Sequence, residues 1–141
     1  CQVFARHMVE RDRGCILNIA SMGAVHPLTR SVAYSAAKAA VVNLTQWLAV
    51  HVSQEYSPTI RVNALMPGFF LTEQNRFLLL DEQSNELTER GQRIIDQTPM
   101  GRFGQPEDLI APALLLLSDV APFVHGTTAV VDGGLSAYGG V

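Results

Sequence analysis

The sequence has 141 residues, of which 48% are hydrophobic and 16% are charged, and its formal net charge at pH 7 is -3. This composition is typical of one globular domain with a buried sheet or a large apolar interface, and it disfavours a disordered segment. Because the chain has no run of basic residues, it lacks the charge pattern that binds a phosphate backbone. We expect no nucleic-acid partner.

The cysteines, the histidines and the apolar runs argue against a metal site and a membrane span. Cys1 and Cys15 form no CxxC pair, and Cys15 lies in an apolar run, which is typical of a small buried side chain in a reducing compartment. Residues 109–117 form the longest apolar run, far below the roughly 20 residues that span a bilayer. With no signal peptide before it, we expect a cytoplasmic protein. The histidines lack metal-ligand spacing, so no metal is expected: His7, His26, His51 and His125.

The first half of the chain predicts a helix, a strand and a long helix. Residues 1–13 place apolar side chains on one helical face, so the chain would begin inside an element. Residues 15–20 (CILNIA) are a short apolar run of the kind found in a parallel strand that is covered on both faces. After the polar loop 21–30, a helix is predicted from about Val32 to Tyr56.

The second half predicts two more strands. Residues 60–66 (IRVNALM) read as a strand ended by a Pro-Gly pair, and residues 72–97 as a helical, mobile segment that could serve as a lid. Residues 105–119 begin with proline and acidic residues, as a helix N-terminus prefers. Residues 127–134 predict a last strand ended by a turn. Helices that alternate with short apolar strands predict an α/β fold with a doubly wound parallel sheet.

A tyrosine and a lysine in the stretch AYSAAKAA form the first candidate site. Tyr34 and Lys38 are four residues apart, so a helix places them on one face. An ammonium beside a phenol favours the phenolate, which suits acid–base chemistry. The same spacing is also common in surface packing. The pair alone therefore does not decide between the two readings.

A serine after the first predicted strand could join this pair. Ligands of open α/β sheets bind beyond the carboxyl ends of the strands, where Ser21 and the Pro67-Gly68 pair lie. Ser21 precedes Tyr34 by thirteen residues, so a loop could return the chain to the same crevice. A serine in this position is also common as a cap or turn residue.

Five motifs in order resemble those of the short-chain dehydrogenases/reductases: NIAS, YSAAK, RVNALMPGFFLT, RFGQPEDL and VDGG. The resemblance implies a Rossmann-like fold of which residues 1–141 form only the carboxyl-terminal part. The amino-terminal half of the same domain, with the glycine-rich turn that binds the cofactor phosphates, is expected to be absent. Alone, the 141 residues are expected to bind a dinucleotide weakly and to fold with difficulty.

The resemblance also implies a role for each site residue. Tyr34 would be the general acid/base as hydride passes between NAD or NADP and a secondary alcohol or ketone. Lys38 would favour the phenolate of Tyr34 and hold the nicotinamide ribose, and Ser21 would orient the substrate oxygen by a hydrogen bond. The cofactor would be contacted by Tyr34, Lys38, Pro67, Gly68, Phe70 and Thr72.

Arginine side chains suggest an acidic small-molecule substrate. Bidentate guanidinium groups suit a carboxylate, so a sugar acid is expected, bound by Ser21, Arg30, Asn75 and Arg76. Surface ion pairs with neighbouring acids explain the same arginines equally well. TEQNRFLLLD, TPMGRF and SAYGGV resemble sugar-acid members of the family such as D-mannonate oxidoreductases, which interconvert D-mannonate and D-fructuronate. A polyol or gluconate dehydrogenase is the alternative.

The long predicted helix could also build an oligomer. Its small residues would allow close helix approach across a two-fold axis, and the family resemblance implies a homotetramer or a homodimer; packing inside the chain would explain them equally well. They are Ala36, Ala37, Ala39 and Ala40. Two rival functions have less support. A serine hydrolase using Ser21 and His26 lacks the G-x-S-x-G turn. The intact Ser21, Tyr34 and Lys38 argue against an inactive assembly fragment, but the expected absence of the cofactor-binding half keeps that alternative open.

Overall fold

The computed structural model describes residues 2–140, in which three strands alternate with helices. The strands are β1 (Gly14–Ile19), β2 (Ile60–Pro67) and β3 (Thr128–Val131). The helices are α1 (Gln2–Glu10), α2 (Val32–Glu55), α3 (Arg76–Leu79), α4 (Glu89–Asp96) and α5 (Ile110–Leu117). Short 3-10 turns lie at Met22–Ala24, Pro106–Leu109 and Leu135–Ala137. Of these helices, none is both long and apolar enough to cross a membrane.

The three strands form one parallel sheet in the order β1-β2-β3. In β1 and β2 the pairing runs from Gly14 opposite Ile60 to Ile19 opposite Leu65, so both strands end at the same edge of the sheet. β2 is the central strand and is buried along almost all of its length. The predicted α/β fold with a parallel sheet is confirmed.

Helices cover both faces of this sheet. Ile60 and Val62 of β2 pack against Ala49 and Val52 of α2 in the core of one face. Successive side chains of a strand point to opposite faces, so Arg61 lies on the other face. There its buried guanidinium donates hydrogen bonds to three carbonyl oxygens at the end of α5 and in the loop after it: Leu116 (2.9 Å), Ser118 (2.7 Å) and Val124 (3.3 Å). This is the arrangement that a doubly wound sheet requires.

The first strand is less buried than predicted within residues 2–140, although helices contact both of its faces. The side chains of β1 are only partly buried, and Ile19 is 52% exposed. The reason is its place in the sheet, because β1 pairs with β2 on one edge and has no strand partner on its other edge among the described residues. The apolar composition of the run predicts a buried strand, but it does not indicate which neighbouring elements bury that strand.

The segment 72–97 is less helical than predicted. It contains the single turn α3 and the two-turn helix α4, separated by a tight turn in which Leu80 and Leu87 form an antiparallel bridge. The carboxylate of Asp81 accepts the backbone N–H groups of Gln83 and Ser84, which stops the helix there. These bonds to Ser84 and Gln83 lower the pKa of Asp81. Closure of this segment over a substrate stays a prediction.

Candidate active site

Ser21 lies just beyond the carboxyl end of β1 and is 7% exposed. The ladder with β2 continues to the preceding residue, where the N–H of Ala20 donates to the carbonyl of Leu65. The Ser21 hydroxyl oxygen accepts the N–H of Gly23 at 3.2 Å and so caps the following 3-10 turn. Within residues 2–140 no acceptor takes the proton of this hydroxyl. Ser21 therefore acts as a capping residue and still has a hydrogen bond to donate.

Lys38 connects helix α2 to the same end of β1. Its ammonium donates a hydrogen bond to the carbonyl oxygen of Ile19 at 2.9 Å, two residues before Ser21. The ammonium nitrogen also lies 5.7 Å from the centroid of the Tyr34 ring. Tyr34 itself is 46% exposed. The structure thus brings the charge of Lys38 beside the Tyr34 ring and to the strand end that Ser21 follows.

Side-chain hydrogen bonds hold α2 in this position. The hydroxyl oxygen of Ser35 accepts the N–H of Leu28, which ties the loop after Ser21 to the helix turn that carries Tyr34. Ten residues further along α2, the hydroxyl oxygen of Thr45 accepts a hydrogen bond from the side-chain amide of Asn18 in β1 at 2.9 Å. Ser35 and Thr45 are buried. The sequence analysis missed both residues, although small polar residues on the buried face of a helix are the pattern that indicates such bonds.

The end of β2 supplies the next part of the candidate site. The N–H of Gly68 donates to the carbonyl of Val131 at 2.9 Å, and a Cβ atom at this glycine would lie only 2.6 Å from the Cβ of Asp132. Any larger residue would therefore push β2 and β3 apart where they end. Beyond it, the N–H of Gly104 donates to the carbonyl of Phe69, and Phe70 forms a bridge with Gly104.

Asn75 closes the loop that carries Thr72. Its side-chain oxygen accepts the N–H of Thr72 at 2.8 Å, and its side-chain nitrogen donates to the carbonyl of Phe70 at 2.8 Å. The hydroxyl of Thr72 has no hydrogen-bond partner within residues 2–140. The Asn75 amide is thus engaged in its own loop, whereas the Thr72 hydroxyl is available to a ligand.

The two predicted substrate arginines lie in different surroundings. Arg76 donates a hydrogen bond to the side-chain oxygen of Asn85. It lines an open cavity of about 430 Å³ together with Glu73, Asp81 and Glu82. The negative charges of these three side chains would repel the carboxylate of a sugar acid. Arg30 has a φ angle of 66° in the exposed loop before α2. The structure does not bring these arginines together in one cavity.

A strap of residues 98–104 crosses the ends of β2 and β3. Besides the bond from Gly104, the N–H of Met100 donates to the carbonyl of Gly133. Arg102 and Asp108 fix the strap by a bidentate ion pair with N–O distances of 2.7 and 2.9 Å. The hydrogen bonds from Arg102 and from the N–H of Gln105 lower the pKa of Asp108 to about 2. The same pair raises the pKa of Arg102.

Asp132 shapes the turn that follows β3. Burial opposes its ionisation, but hydrogen bonds from the hydroxyl and N–H of Ser136 and from the N–H of Gly134 outweigh this effect and lower its pKa. The charge of His26 adds a smaller effect of the same sign. These bonds fold the turn on itself, and the N–H of Met100 joins it to the strap through the carbonyl of Gly133.

The sequence matches, over residues 1–136, a family model described as Enoyl-(Acyl carrier protein) reductase. It is 48% identical over 141 residues to the uncharacterized oxidoreductase UxuB of Bacillus subtilis (strain 168). This match covers 99% of this chain and 49% of that protein.

Two solved structures have a similar fold. A proposed D-mannonate oxidoreductase from Haemophilus influenza, with bound NAD, matches with a TM-score of 0.87 at 47% identity over 99% of this chain and 49% of that chain. A gluconate 5-dehydrogenase from Burkholderia cenocepacia J2315, in complex with NADP and tartrate, matches with a TM-score of 0.81 at 38% identity over 96% of this chain and 50% of that chain. The chain thus spans about half the length of the relatives it matches.

Proposed function

The chain belongs to the short-chain dehydrogenase/reductase family, and we propose that it supplies the catalytic residues of an NAD- or NADP-dependent oxidoreductase acting on a secondary alcohol or ketone. Residues 1–141 would form the carboxyl-terminal part of a single Rossmann-like domain. One observation carries the proposal: the ammonium of Lys38 bridges the carbonyl of Ile19 and the Tyr34 ring at the carboxyl edge of the sheet. Ligands of such sheets bind at this edge.

In this proposal Tyr34 is the group that moves the proton. Its phenol gives a proton to the carbonyl oxygen of a ketone, or takes one from the alcohol in the reverse direction. Lys38 stabilises the phenolate by its positive charge. Ser21 donates its unused hydroxyl proton to the same substrate oxygen and so stabilises the charge that develops there. Proton and hydride together convert the ketone to the alcohol, which balances the reaction.

The described residues fit the nicotinamide end of the cofactor. An ammonium has three N–H donors, of which Lys38 uses one on Ile19, so two are available for ribose hydroxyl groups. Tyr34 lies beside Lys38. Thr72, whose hydroxyl has no hydrogen-bond partner within residues 2–140, comes directly after the loop built from Pro67, Gly68 and Phe70. When bound, the cofactor would supply or accept the hydride. Its phosphates would be held by the other half of the longer protein.

A sugar acid is the proposed substrate, with interconversion of D-mannonate and D-fructuronate as the first candidate. The support is the similarity to the proposed D-mannonate oxidoreductase. A gluconate or polyol dehydrogenase is the alternative, because the chain also resembles a gluconate 5-dehydrogenase. The predicted contacts of Arg30, Asn75 and Arg76 with the substrate stay predictions. For Asn75 a contact would have to coexist with the two bonds inside its loop.

The proposed enzyme is a cytoplasmic homotetramer or homodimer with a small-molecule substrate and no nucleic-acid or membrane partner. The alanines of α2 support assembly because they are exposed, and Trp47 on the same helix is 58% exposed. Packing inside residues 2–140 therefore does not explain this alanine stripe. Light scattering of the full-length protein with and without Ala37→Arg would measure whether α2 forms the interface.

The proposal is tested with the full-length protein that contains this chain. D-fructuronate, 5-keto-D-gluconate and dihydroxyacetone are each offered with NADH or NADPH, and the alcohols with the oxidised cofactors. We expect turnover with one cofactor pair and the highest kcat/KM for D-fructuronate. A preference for 5-keto-D-gluconate would favour the alternative substrate, and cofactor binding without any turnover would indicate an inactive assembly protein.

A further inference from the structure

A second cavity of about 290 Å³ lies beside the loop that Ser21 begins. Met22, the residue directly after Ser21, forms one wall, and Leu135 with the glycines of the carboxyl-terminal segment forms another. Three polar side chains complete the lining: His26, Gln97 and Tyr138. Their positions in the sequence are far apart, so only the folded chain brings them together. The volume is close to the lower end of the roughly 300–1,000 Å³ that is typical of ligand sites.

The walls of this cavity are fixed to one another by backbone contacts. Gln97 caps the carboxyl end of α4, and the chain immediately after it meets the turn after β3: Thr98 and Pro99 pack on Gly133 and Gly134. Both glycines have positive φ angles, 65° and 89°, which let the turn approach so closely. The same turn leads to Leu135 and Tyr138. The wall that carries Gln97 and the wall that carries Tyr138 are therefore one packed unit.

The opposite wall is tied to the helix that carries Tyr34. The N–H of His26 donates to the carbonyl of Met22, which folds the loop back on itself. Two residues further on, the N–H of Leu28 donates to the hydroxyl oxygen of Ser35 in α2. The position of His26 is thus set by the elements that position Ser21 and Tyr34, the two residues that contact the reacting oxygen in the proposed mechanism.

The polar groups of this cavity are free to bind a ligand. Within residues 2–140 no hydrogen bond engages the imidazole of His26, the amide of Gln97 or the hydroxyl of Tyr138, and all three side chains are exposed. Together they offer both donors and acceptors, which matches hydroxyl groups, since a hydroxyl donates and accepts.

We propose that His26, Gln97 and Tyr138 bind the hydroxyl groups of a polyhydroxylated substrate and select it over simple alcohols. This inference rests on the proposed function, because it takes Ser21 and Tyr34 as the residues at the reacting carbon. It assigns substrate recognition to the loop after β1, the end of α4 and the carboxyl-terminal segment. The substrate chain extends from Ser21 past Met22 into this cavity.

Kinetics of the full-length protein with D-fructuronate and with 5-keto-D-gluconate test the assignment. Tyr138→Phe removes one hydroxyl, Gln97→Ala removes one amide and His26→Ala removes the imidazole. We expect each change to lower kcat/KM for the better of the two substrates about threefold to tenfold, which corresponds to the loss of one hydrogen bond. The change should be in the KM of the sugar substrate, with the KM of the cofactor within about twofold of wild type.

Matched variants away from the cavity serve as controls. Tyr56→Phe alters an exposed tyrosine at the end of α2, and Gln83→Ala alters an exposed glutamine in the turn before α4; neither should change the KM of the sugar substrate. If the wild-type protein is active and the three cavity variants keep its sugar KM, the assignment is wrong while the proposed function stands. Equal increases in the KM of sugar and cofactor would also contradict it. A wild-type protein that turns over none of D-fructuronate, 5-keto-D-gluconate and dihydroxyacetone would overturn both the assignment and the proposed function.

Discussion

Lys38 is the residue on which the proposed chemistry depends most. The spacing in the sequence predicts that it shares a helical face with Tyr34, and the structure places its ammonium 5.7 Å from the ring centroid. The sequence could not predict the other contact of the ammonium, the carbonyl of Ile19. That bond depends on how α2 lies against β1, which is decided by Asn18, Thr45 and the core rather than by the motif.

Lys38→Met in the full-length protein tests this role. The variant keeps the aliphatic stem and loses the charge that would stabilise the phenolate of Tyr34 in the proposed mechanism. We expect kcat to fall and the KM of the cofactor to rise, because the ribose would lose its ammonium partner. Lys38→Arg, which keeps the charge, should leave kcat closer to wild type. A Lys38→Met variant with the kcat and cofactor KM of the wild type would contradict this role.

The sequence does not predict which groups the side-chain amide of Asn75 binds. The sequence marks it as a polar residue in the segment near the substrate, and the resemblance assigns it to substrate binding. The structure shows that its amide bonds the backbone of Phe70 and Thr72. The sequence indicates that a polar group is present, but whether a ligand or the chain itself uses that group depends on the fold of the loop.

The positions of the helices and strands outside residues 72–97 could be predicted from the sequence, but the elements that pack against them could not. Period and composition locate β2 and α2 within one or two residues of their predicted bounds. Those signals contain no information about which neighbour covers a strand, so the partial exposure of β1 was missed. In residues 72–97 the side-chain bonds of Asp81 favour a turn over a continuous helix.

Arg61 is the buried charge that joins β2 to the region after α5. Its guanidinium donates to three carbonyl oxygens, and a carbonyl left without a partner costs about 1–3 kcal/mol. We expect Arg61→Met to lower the free energy of unfolding of the full-length protein by roughly 3 kcal/mol in urea titrations. Arg11→Met, a change at an exposed arginine, is the control and should have little effect. Equal stabilities of the two variants would contradict the structural role of Arg61.

The ion pair of the strap predicts a specific dependence on pH. Asp108 has a pKa of about 2 in the fold, compared with 3.8 for a free carboxyl, because Arg102 and the N–H of Gln105 favour its charged form. Its contribution to stability is therefore complete above about pH 4 and disappears as the pH falls through about 2. The wild type should unfold at higher urea concentration than Asp108→Asn at neutral pH.

That difference should shrink as the urea titrations are repeated at pH values from about 6 down to about 3. Glu107→Gln is the matched control, since it removes a neighbouring acid that forms no ion pair within residues 2–140. A difference between wild type and Asp108→Asn that is independent of pH would show that the carboxylate charge does not hold the strap.

On the scale of the whole molecule, the chain presents more apolar surface than a stable monomer usually does. Large exposed side chains lie on three helices; they are Val3 and Phe4 of α1, Leu44, Trp47 and Val50 of α2, and Leu114, Leu115 and Leu117 of α5. Within residues 2–140, β1 also leaves one edge of the sheet without a strand partner. The chain spans about half the length of its relatives, and surfaces of this kind are what the rest of such a protein, or a second copy, would cover.

The 141-residue chain in isolation should therefore bind an apolar fluorescent dye and elute as an aggregate or a mixture of oligomers in gel filtration. The full-length protein should bind much less dye per chain, because in the proposed arrangement the other half of the domain would cover β1 and the helices beside it. A compact monomer that unfolds cooperatively and binds no dye would show instead that these 141 residues are a domain in their own right.

We propose that Tyr34, held beside Lys38 at the carboxyl edge of the sheet, transfers the proton that accompanies hydride transfer. The most direct measurement is kcat of the full-length Tyr34→Phe variant at saturating cofactor and substrate, with Tyr56→Phe as the control. The phenylalanine ring still packs, but the proton donor is gone, so we predict a loss of roughly 10²–10⁴-fold in kcat with unchanged thermal stability. A Tyr34→Phe variant that turns over at nearly the wild-type rate would contradict the account.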